Sequence, residues 1–130
     1  MATPTRTEKS RTPTALVADL CLVLGFTILG RRSHAEGLTV TGIAETAWPF
    51  LTGTLTGWLL ARGWRAPTAV VPTGVVVWLS TVVVGMALRK ATSAGTATAF
   101  VVVATLTTGV LLIGWRAIWA AIARRRTGSA

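Results

Sequence analysis

Four apolar segments of about twenty residues alternate with short polar segments along the chain. They cover residues 14–30, 42–61, 69–88 and 95–114. Because a helix rises 1.5 Å per residue, each segment would measure about 25–30 Å, close to the ~30 Å hydrocarbon core of a bilayer. The first segment is apolar on every side of a helix except at Asp19, which leaves no face for water. The pattern predicts four membrane-spanning helices.

The connections between the apolar segments are short, which makes consecutive helices antiparallel neighbours. The expected fold is therefore an all-α integral membrane protein, a four-helix up-and-down bundle that occupies residues 14–123. Residues 1–13 are polar and basic and predict a disordered tail, and residues 124–130 predict a second basic tail. A cleaved secretory signal is the alternative for the first span, but Asp19 within it and Arg31-Arg32 directly after it argue against cleavage.

Basic residues are distributed unevenly between the two sides of the predicted bundle. Of the Lys and Arg residues, nine fall on the side of the two termini and four on the other. By the positive-inside rule both termini are cytoplasmic, and the protein is a multi-pass protein of the plasma membrane. The net charge of +9 is also typical of nucleic-acid binding. Here the charges form short clusters between apolar spans, so we expect no nucleic-acid partner.

The second half of the chain resembles the first half. Pro13-Thr14 and Pro72-Thr73 begin the first and third spans. Gly63-Trp64-Arg65-Ala66 follows the second span, and Gly114-Trp115-Arg116-Ala117 closes the fourth. These matches predict two tandem helical hairpins, which would form a parallel repeat about an axis normal to the membrane.

Small residues at helical spacing predict close helix packing. Gly53 and Gly57 form a GxxxG motif in the second span, and Gly85 lies in the third. Such residues join helices within one chain or between two copies of it, and packing within the chain is favoured here. Trp78 falls near the middle of the third span, so its indole N–H needs a partner inside the bundle.

Asp19 is the most informative single residue, because an acid inside an apolar span is costly and normally faces the bundle interior or a wet cavity. One hypothesis is a structural ion pair. Arg116 lies at the same predicted depth on the fourth span, and Arg65 is a substitute partner. The other hypothesis is a proton or cation site, which would make the chain a small proton-linked transporter or channel.

A second polar cluster is predicted on the opposite side of the membrane, where three helix ends meet. Its members are Arg31, Arg32, His34, Glu45 and Arg89. Basic groups of this kind contact lipid phosphate, a small anion or a protein partner, and solvated interface charges are the alternative. His34 and Glu36 are too few to make a metal site, so no metal or cofactor is expected.

Catalytic motifs are not apparent in the sequence. It contains no nucleophile with a nearby base, no glycine-rich phosphate loop and no paired carboxylates. We therefore expect a protein without enzymatic activity that has a structural, accessory, lipid-binding or partner-binding role, and a homo-oligomer stays open. The proton-linked transporter that uses Asp19 is the competing interpretation.

Several short motifs together resemble a known family. They are Asp19, Gly30-Arg31-x-x-His34, Ala47-x-Pro49-Phe50, Gly57-Trp58, Gly85-Met86-x-Leu88-Arg89 and Gly114-Trp115-Arg116. In combination they resemble the small, mostly actinobacterial membrane proteins grouped as domain of unknown function family 3054. The resemblance covers residues 15–116. It implies an integral membrane protein and supplies no activity.

Overall fold

Four helices form the described part of the protein, which contains no β-strand. A computed structural model describes residues 6–33, 38–94 and 96–128. The helices are α1 (Arg6–Ser33), α2 (Val40–Ala61), α3 (Val75–Ala91) and α4 (Thr98–Gly128). The predicted all-α class is confirmed, and each helix overlaps one of the four apolar segments.

Contacts between neighbouring helices show that their directions alternate. Phe26 of α1 contacts Phe50 of α2, while Asp19, earlier in α1, contacts Trp58, later in α2. The same reversed order holds between α2 and α3 and between α3 and α4. Helix α4 then returns to pack against α1. The four helices therefore form a closed up-and-down bundle.

Three of the four helices are long and apolar enough to cross a membrane. The apolar stretches are Arg11–Arg31, Val70–Ala91 and Thr98–Arg126. Helix α2 is not among them, because its threonines, glycines and Glu45 lower its mean hydropathy. We name the two ends of the bundle after the residues that bound the first stretch, the Arg11 end and the Arg31 end.

The predicted glycine motif packs α2 directly against the backbone of α3. A Cβ atom added at Gly53 would lie 2.7 Å from the carbonyl oxygen of Ser80, and one added at Gly57 would lie 2.7 Å from the Cα atom of Val77. Both distances are too short for a real side chain. The motif therefore serves contact within this chain, because only the absence of side chains lets the two helices approach so closely.

The other two residues predicted for packing also contact neighbouring helices. Gly85 of α3 faces the ring of Phe50, where an added Cβ atom would lie 2.5 Å from Cδ1. The Trp78 indole N–H donates to the carbonyl oxygen of Thr105 at 2.9 Å, and its ring lies against Gly109 of α4. Trp78 thus has the partner inside the bundle that its depth required.

Both predicted tails are helical where the structure describes them. Helix α1 begins at Arg6 and includes most of the segment 1–13. There the Arg11 guanidinium lies 5.2 Å from the ring centroid of Trp119, and the Thr12 hydroxyl donates to the Trp64 carbonyl oxygen at 3.5 Å. Helix α4 likewise continues to Gly128. The end of the N-terminal extension thus contacts α4 and the connection between α2 and α3.

The third predicted span begins irregularly. Its first residues, Val70–Gly74, form a short π-type turn in which Val71 has extended backbone angles. Regular helix begins only at Val75. Val71 directly precedes Pro72, whose ring disfavours α-helical angles at the residue before it, and this accounts for the extended conformation of Val71. The predicted boundary of 69–88 is therefore shifted toward the C-terminus.

Candidate functional site: a buried carboxylate with four donors

The carboxylate of Asp19 lies inside the bundle with 0% of the residue exposed. Arg116 of α4 donates to both of its oxygens, from Nη1 to Oδ1 at 2.8 Å and from Nη2 to Oδ2 at 2.6 Å. The indole N–H of Trp115 donates to Oδ1 at 2.9 Å, and that of Trp58 donates to Oδ2 at 2.8 Å. Three helices, α1, α2 and α4, therefore meet at one side chain.

Arg116 is itself completely buried and has three further contacts. Its Nε donates to the carbonyl oxygen of Pro67 at 3.1 Å, and Nη1 also donates to the carbonyl oxygen of Leu112 at 3.0 Å. The guanidinium lies 4.6 Å from the ring centroid of Trp115. Because Pro67 belongs to the connection between α2 and α3, Arg116 extends the cluster to that segment.

Gly74 makes room for the Arg116 side chain. A Cβ atom added at Gly74 would lie 3.0 Å from Cδ of Arg116, which is tighter than an ordinary van der Waals contact. Gly74 also ends the irregular turn before α3. The position at which α3 begins is therefore coupled to the placement of the buried guanidinium.

The chemistry of the cluster is that of a closed ion pair. A carboxylate has about four acceptor positions, and here each oxygen accepts two hydrogen bonds. Bidentate arginine–carboxylate pairs are among the strongest hydrogen-bonded contacts in proteins. Among the described residues, no buried side-chain nitrogen or oxygen lacks a partner. The pair is neutral overall and leaves no acceptor position of Asp19 open.

The structure distinguishes between the two partners considered for Asp19. Arg116 makes the contact, whereas Arg65 is exposed in the 3₁₀ turn Gly63–Arg65. The two tryptophan donors, Trp58 and Trp115, were not predicted from the sequence. Trp58 is 5% exposed, so its indole lies inside the bundle. The available signal was depth, since both indoles lie within about two turns of the predicted level of Asp19.

The cluster predicted at the Arg31 end is described only in part. The Arg31 guanidinium donates to the Thr46 hydroxyl at 2.9 Å, and the Arg89 guanidinium lies 4.7 Å from the ring centroid of Phe100. Glu45 is exposed. His34 and the Arg32 side chain lie outside the described residues, and so does Glu36. Within the described ranges, no group of three or more His, Cys, Asp or Glu side chains could hold a metal ion.

A cavity of about 470 Å³ lies at the Arg11 end, away from the ion pair. It is bounded by α1, by the connection between α2 and α3, and by the last turns of α4. Its lining includes Arg11, Thr68, Val70, Trp119 and Arg124. The two arginines lie in, or at the border of, the two predicted tails, and no pattern in the sequence predicts that they share a cavity.

Comparison with known proteins identifies the family. A family model described as a protein of unknown function, DUF3054, matches residues 16–119. The chain belongs to this family. The resemblance inferred from the short motifs is thus confirmed, and the matched residues of this DUF3054 member include both Asp19 and Arg116. No curated protein and no solved structure matches the chain.

Proposed function

We propose that this DUF3054 member is a four-span protein of the plasma membrane with a structural or accessory role, and that Asp19 is a structural ion-pair residue in it. The supporting observation is the saturation of the carboxylate. Two indoles and a bidentate guanidinium occupy both oxygens, and Asp19 and Arg116 are each 0% exposed. A proton carrier needs a carboxylate that reaches water and exchanges partners, whereas this one is buried and each of its oxygens accepts two hydrogen bonds.

Helix α2 is the fourth span in this proposal. It has 22 residues, which corresponds to about 33 Å of helix. It packs lengthwise between α1 and α3, from Phe50 near the Arg31 end to Trp58 near the Arg11 end. Its glycines and one of its threonines face α3. A helix that packs along its length between two spans lies in the membrane with them. The lower hydropathy of α2 then reflects polar groups that form hydrogen bonds within the bundle.

The orientation follows from the distribution of positive charge. The Arg11 end carries the basic residues of the N-terminal segment, of the connection between α2 and α3, and of the last turns of α4. The proposal therefore places this end and both termini in the cytoplasm. Membrane lipids are the expected partners, with a protein partner or a second copy of the chain as further candidates. Nucleic acid and enzymatic turnover are not part of the proposed role.

The competing function is a small proton-linked transporter or channel, because an acid within an apolar span is a common element of proton pathways. Proton flux into liposomes that contain wild-type protein or Asp19→Asn tests the two functions. Glu45→Gln is the matched control, since it makes the same chemical change at an exposed acid. Thermal unfolding in detergent shows whether each variant is folded.

The structural role predicts no proton flux in any variant and a clear loss of thermal stability in Asp19→Asn alone. Flux in the wild type that disappears in a folded Asp19→Asn variant would overturn the structural role. The protein would then be a carrier or channel, with the ion pair as one state of a switch.

A further inference from the structure

Two arginines from distant parts of the chain lie at the same height in the bundle. Arg11 precedes Asp19 by eight residues on α1, and Arg124 follows Arg116 by eight residues on α4. Because Asp19 and Arg116 are in contact and the helices are antiparallel, both arginines lie about 12 Å beyond the ion pair toward the Arg11 end. Both line the cavity of about 470 Å³ described above.

Along the bundle axis, this cavity lies at the level expected for the boundary of the hydrocarbon core. The apolar stretch Arg11–Arg31 has 21 residues, which corresponds to about 30 Å of helix and to the thickness of that core. Arg11 therefore lies where lipid phosphates begin. Trp119, which lines the same cavity, is 39% exposed and has the amphipathic ring that is enriched at this level of membranes.

Arg11 is held in place rather than extended into solvent. Its guanidinium lies 5.2 Å from the ring centroid of Trp119, in a cation–π contact. A second cavity of about 270 Å³ lies beside the first and shares Arg11 and Trp119, and Arg126 contributes to its lining. Arg11 and Trp119 thus line both cavities, and each cavity has a second arginine in its lining.

Charge at this end favours an anionic ligand. Asp19 is neutralised by Arg116, which leaves Glu8 as the remaining acid in the parts of the sequence assigned to the Arg11 end. The basic residues there are Arg6, Lys9, Arg11, Arg62, Arg65, Arg124, Arg125 and Arg126. Arginine binds phosphate oxygens in a bidentate manner, and basic pockets at the cytoplasmic end of spanning helices bind anionic lipid headgroups.

We propose that the cavity between Arg11 and Arg124 binds the phosphate of an anionic phospholipid, with Trp119 beside the glycerol region and the two guanidiniums on the phosphate. This proposal rests on the proposed membrane-spanning role and gives it a ligand class. It places the lipid site at the Arg11 end, opposite to the cluster predicted from sequence.

Lipid retention by the full chain tests the proposal. Purified protein in detergent is titrated with phosphatidylglycerol or phosphatidylcholine, and bound lipid is counted by native mass spectrometry. Wild-type protein is expected to retain phosphatidylglycerol preferentially. Arg11→Gln and Arg124→Gln are each expected to weaken retention about fivefold or more, because each removes a charge-assisted hydrogen bond to the bound phosphate. Arg125→Gln, which removes the same charge from a neighbouring position that does not line the cavity, is expected to change it less than about twofold.

Arg11→Lys is the second variant, because it keeps the charge and removes the bidentate geometry. Retention between that of wild type and Arg11→Gln is expected. Equal losses in Arg11→Gln, Arg124→Gln and Arg125→Gln would overturn the site in favour of unspecific attraction, and so would equal retention of the two lipids. Competition by millimolar glycerol 1-phosphate would overturn a lipid in favour of a soluble phosphate ester.

These variants leave Asp19 and Arg116 intact, so their thermal unfolding in detergent should match that of wild type. Loss of the lipid preference with unchanged unfolding would remove this site and leave the proposed structural role standing. Proton flux through the wild type would remove the structural role without bearing on lipid retention.

Discussion

Two helix interfaces of this bundle hold together by different means. Helices α2 and α3 are joined by small residues, with the glycine backbone of one helix against the backbone of the other. Helices α1 and α4 are joined at the Asp19 level by a buried ion pair, to which the indoles of Trp115 on α4 and Trp58 on α2 also donate. The predicted duplication would make these interfaces equivalent, since each lies between one hairpin and the other. The two hairpins thus have different contacts at corresponding places.

The two interfaces differ in how many side chains their stability depends on. Close backbone approach distributes many weak contacts along the helices, so no single side chain carries the α2–α3 interface. The α1–α4 interface concentrates its polar contacts on one carboxylate, and removing one partner leaves the other charge buried. We therefore expect the second interface to be far more sensitive to single substitutions in its polar residues.

The largest effect is expected from breaking the ion pair. Arg116→Gln should lower the free energy of unfolding by roughly 3–5 kcal/mol, because Asp19 then remains buried without a cation. Asp19→Asn should also be costly, and the double variant should cost at least about 1 kcal/mol less than the two single losses added together. Unfolding in mixed micelles measures all three. Strictly additive losses would contradict the pairing.

A smaller effect is expected at the glycine interface. Gly57→Ala should cost about 1–3 kcal/mol, because the new methyl group would lie 2.7 Å from the Cα atom of Val77 and backbone cannot move aside easily. Gly25→Ala is the matched control. It lies inside α1 with nothing within 4 Å of an added Cβ atom and should be neutral or slightly stabilising. Equal changes in the free energy of unfolding of the two variants would show that α2 and α3 do not approach each other this closely at Gly57.

The smallest effect is expected from the hydroxyl contact between α2 and α3. The hydroxyl oxygens of Thr54 and Thr81 lie 2.8 Å apart and are both buried. Thr81→Val keeps the shape and removes both this contact and the bond that the Thr81 hydroxyl donates to the Val77 carbonyl oxygen of its own helix. The expected cost of losing the contact between the helices is about 0.6 kcal/mol, the average for polar contacts between membrane helices. Thr56→Val removes only a bond to the Thr52 carbonyl oxygen of its own helix and is the control. A cost near that of Arg116→Gln would mean that this interface also concentrates its stability on single side chains.

Much of the ion pair could be anticipated from the sequence, because depth in a membrane follows from position along a helix. Asp19 lies near the start of the first predicted span and Arg116 just after the end of the fourth, so both fall near the same side of the bundle. Arg65 satisfied the same condition, and depth alone did not separate the two arginines. Which arginine binds Asp19 depends on how α4 is rotated about its axis and on where α2 ends. Helix α2 stops at Ala61, which leaves Arg65 in an exposed turn.

Depth along the helix likewise did not reveal the roles of the two tryptophans. Their positions near the ends of the second and fourth predicted spans place Trp58 and Trp115 near the membrane boundary, where indoles commonly face the headgroups. In the folded bundle both N–H groups turn inward, because Asp19 offers acceptor positions that one guanidinium does not fill. The cavity between Arg11 and Arg124 was missed for a related reason. Its two sides are more than 110 residues apart in sequence and meet only when α1 and α4 pack.

The amino-acid sequence by itself determined the all-α class, the apolar segments, the family and the need of Asp19 for a partner. Each of these follows from hydropathy, from the 1.5 Å rise of a helix or from local motifs, all of which are properties of position along the chain. The tertiary structure decided which arginine binds the carboxylate, which indoles join it and where basic side chains enclose a cavity. Those outcomes depend on how each helix is rotated about its axis, and rotation is set only when the helices pack against one another.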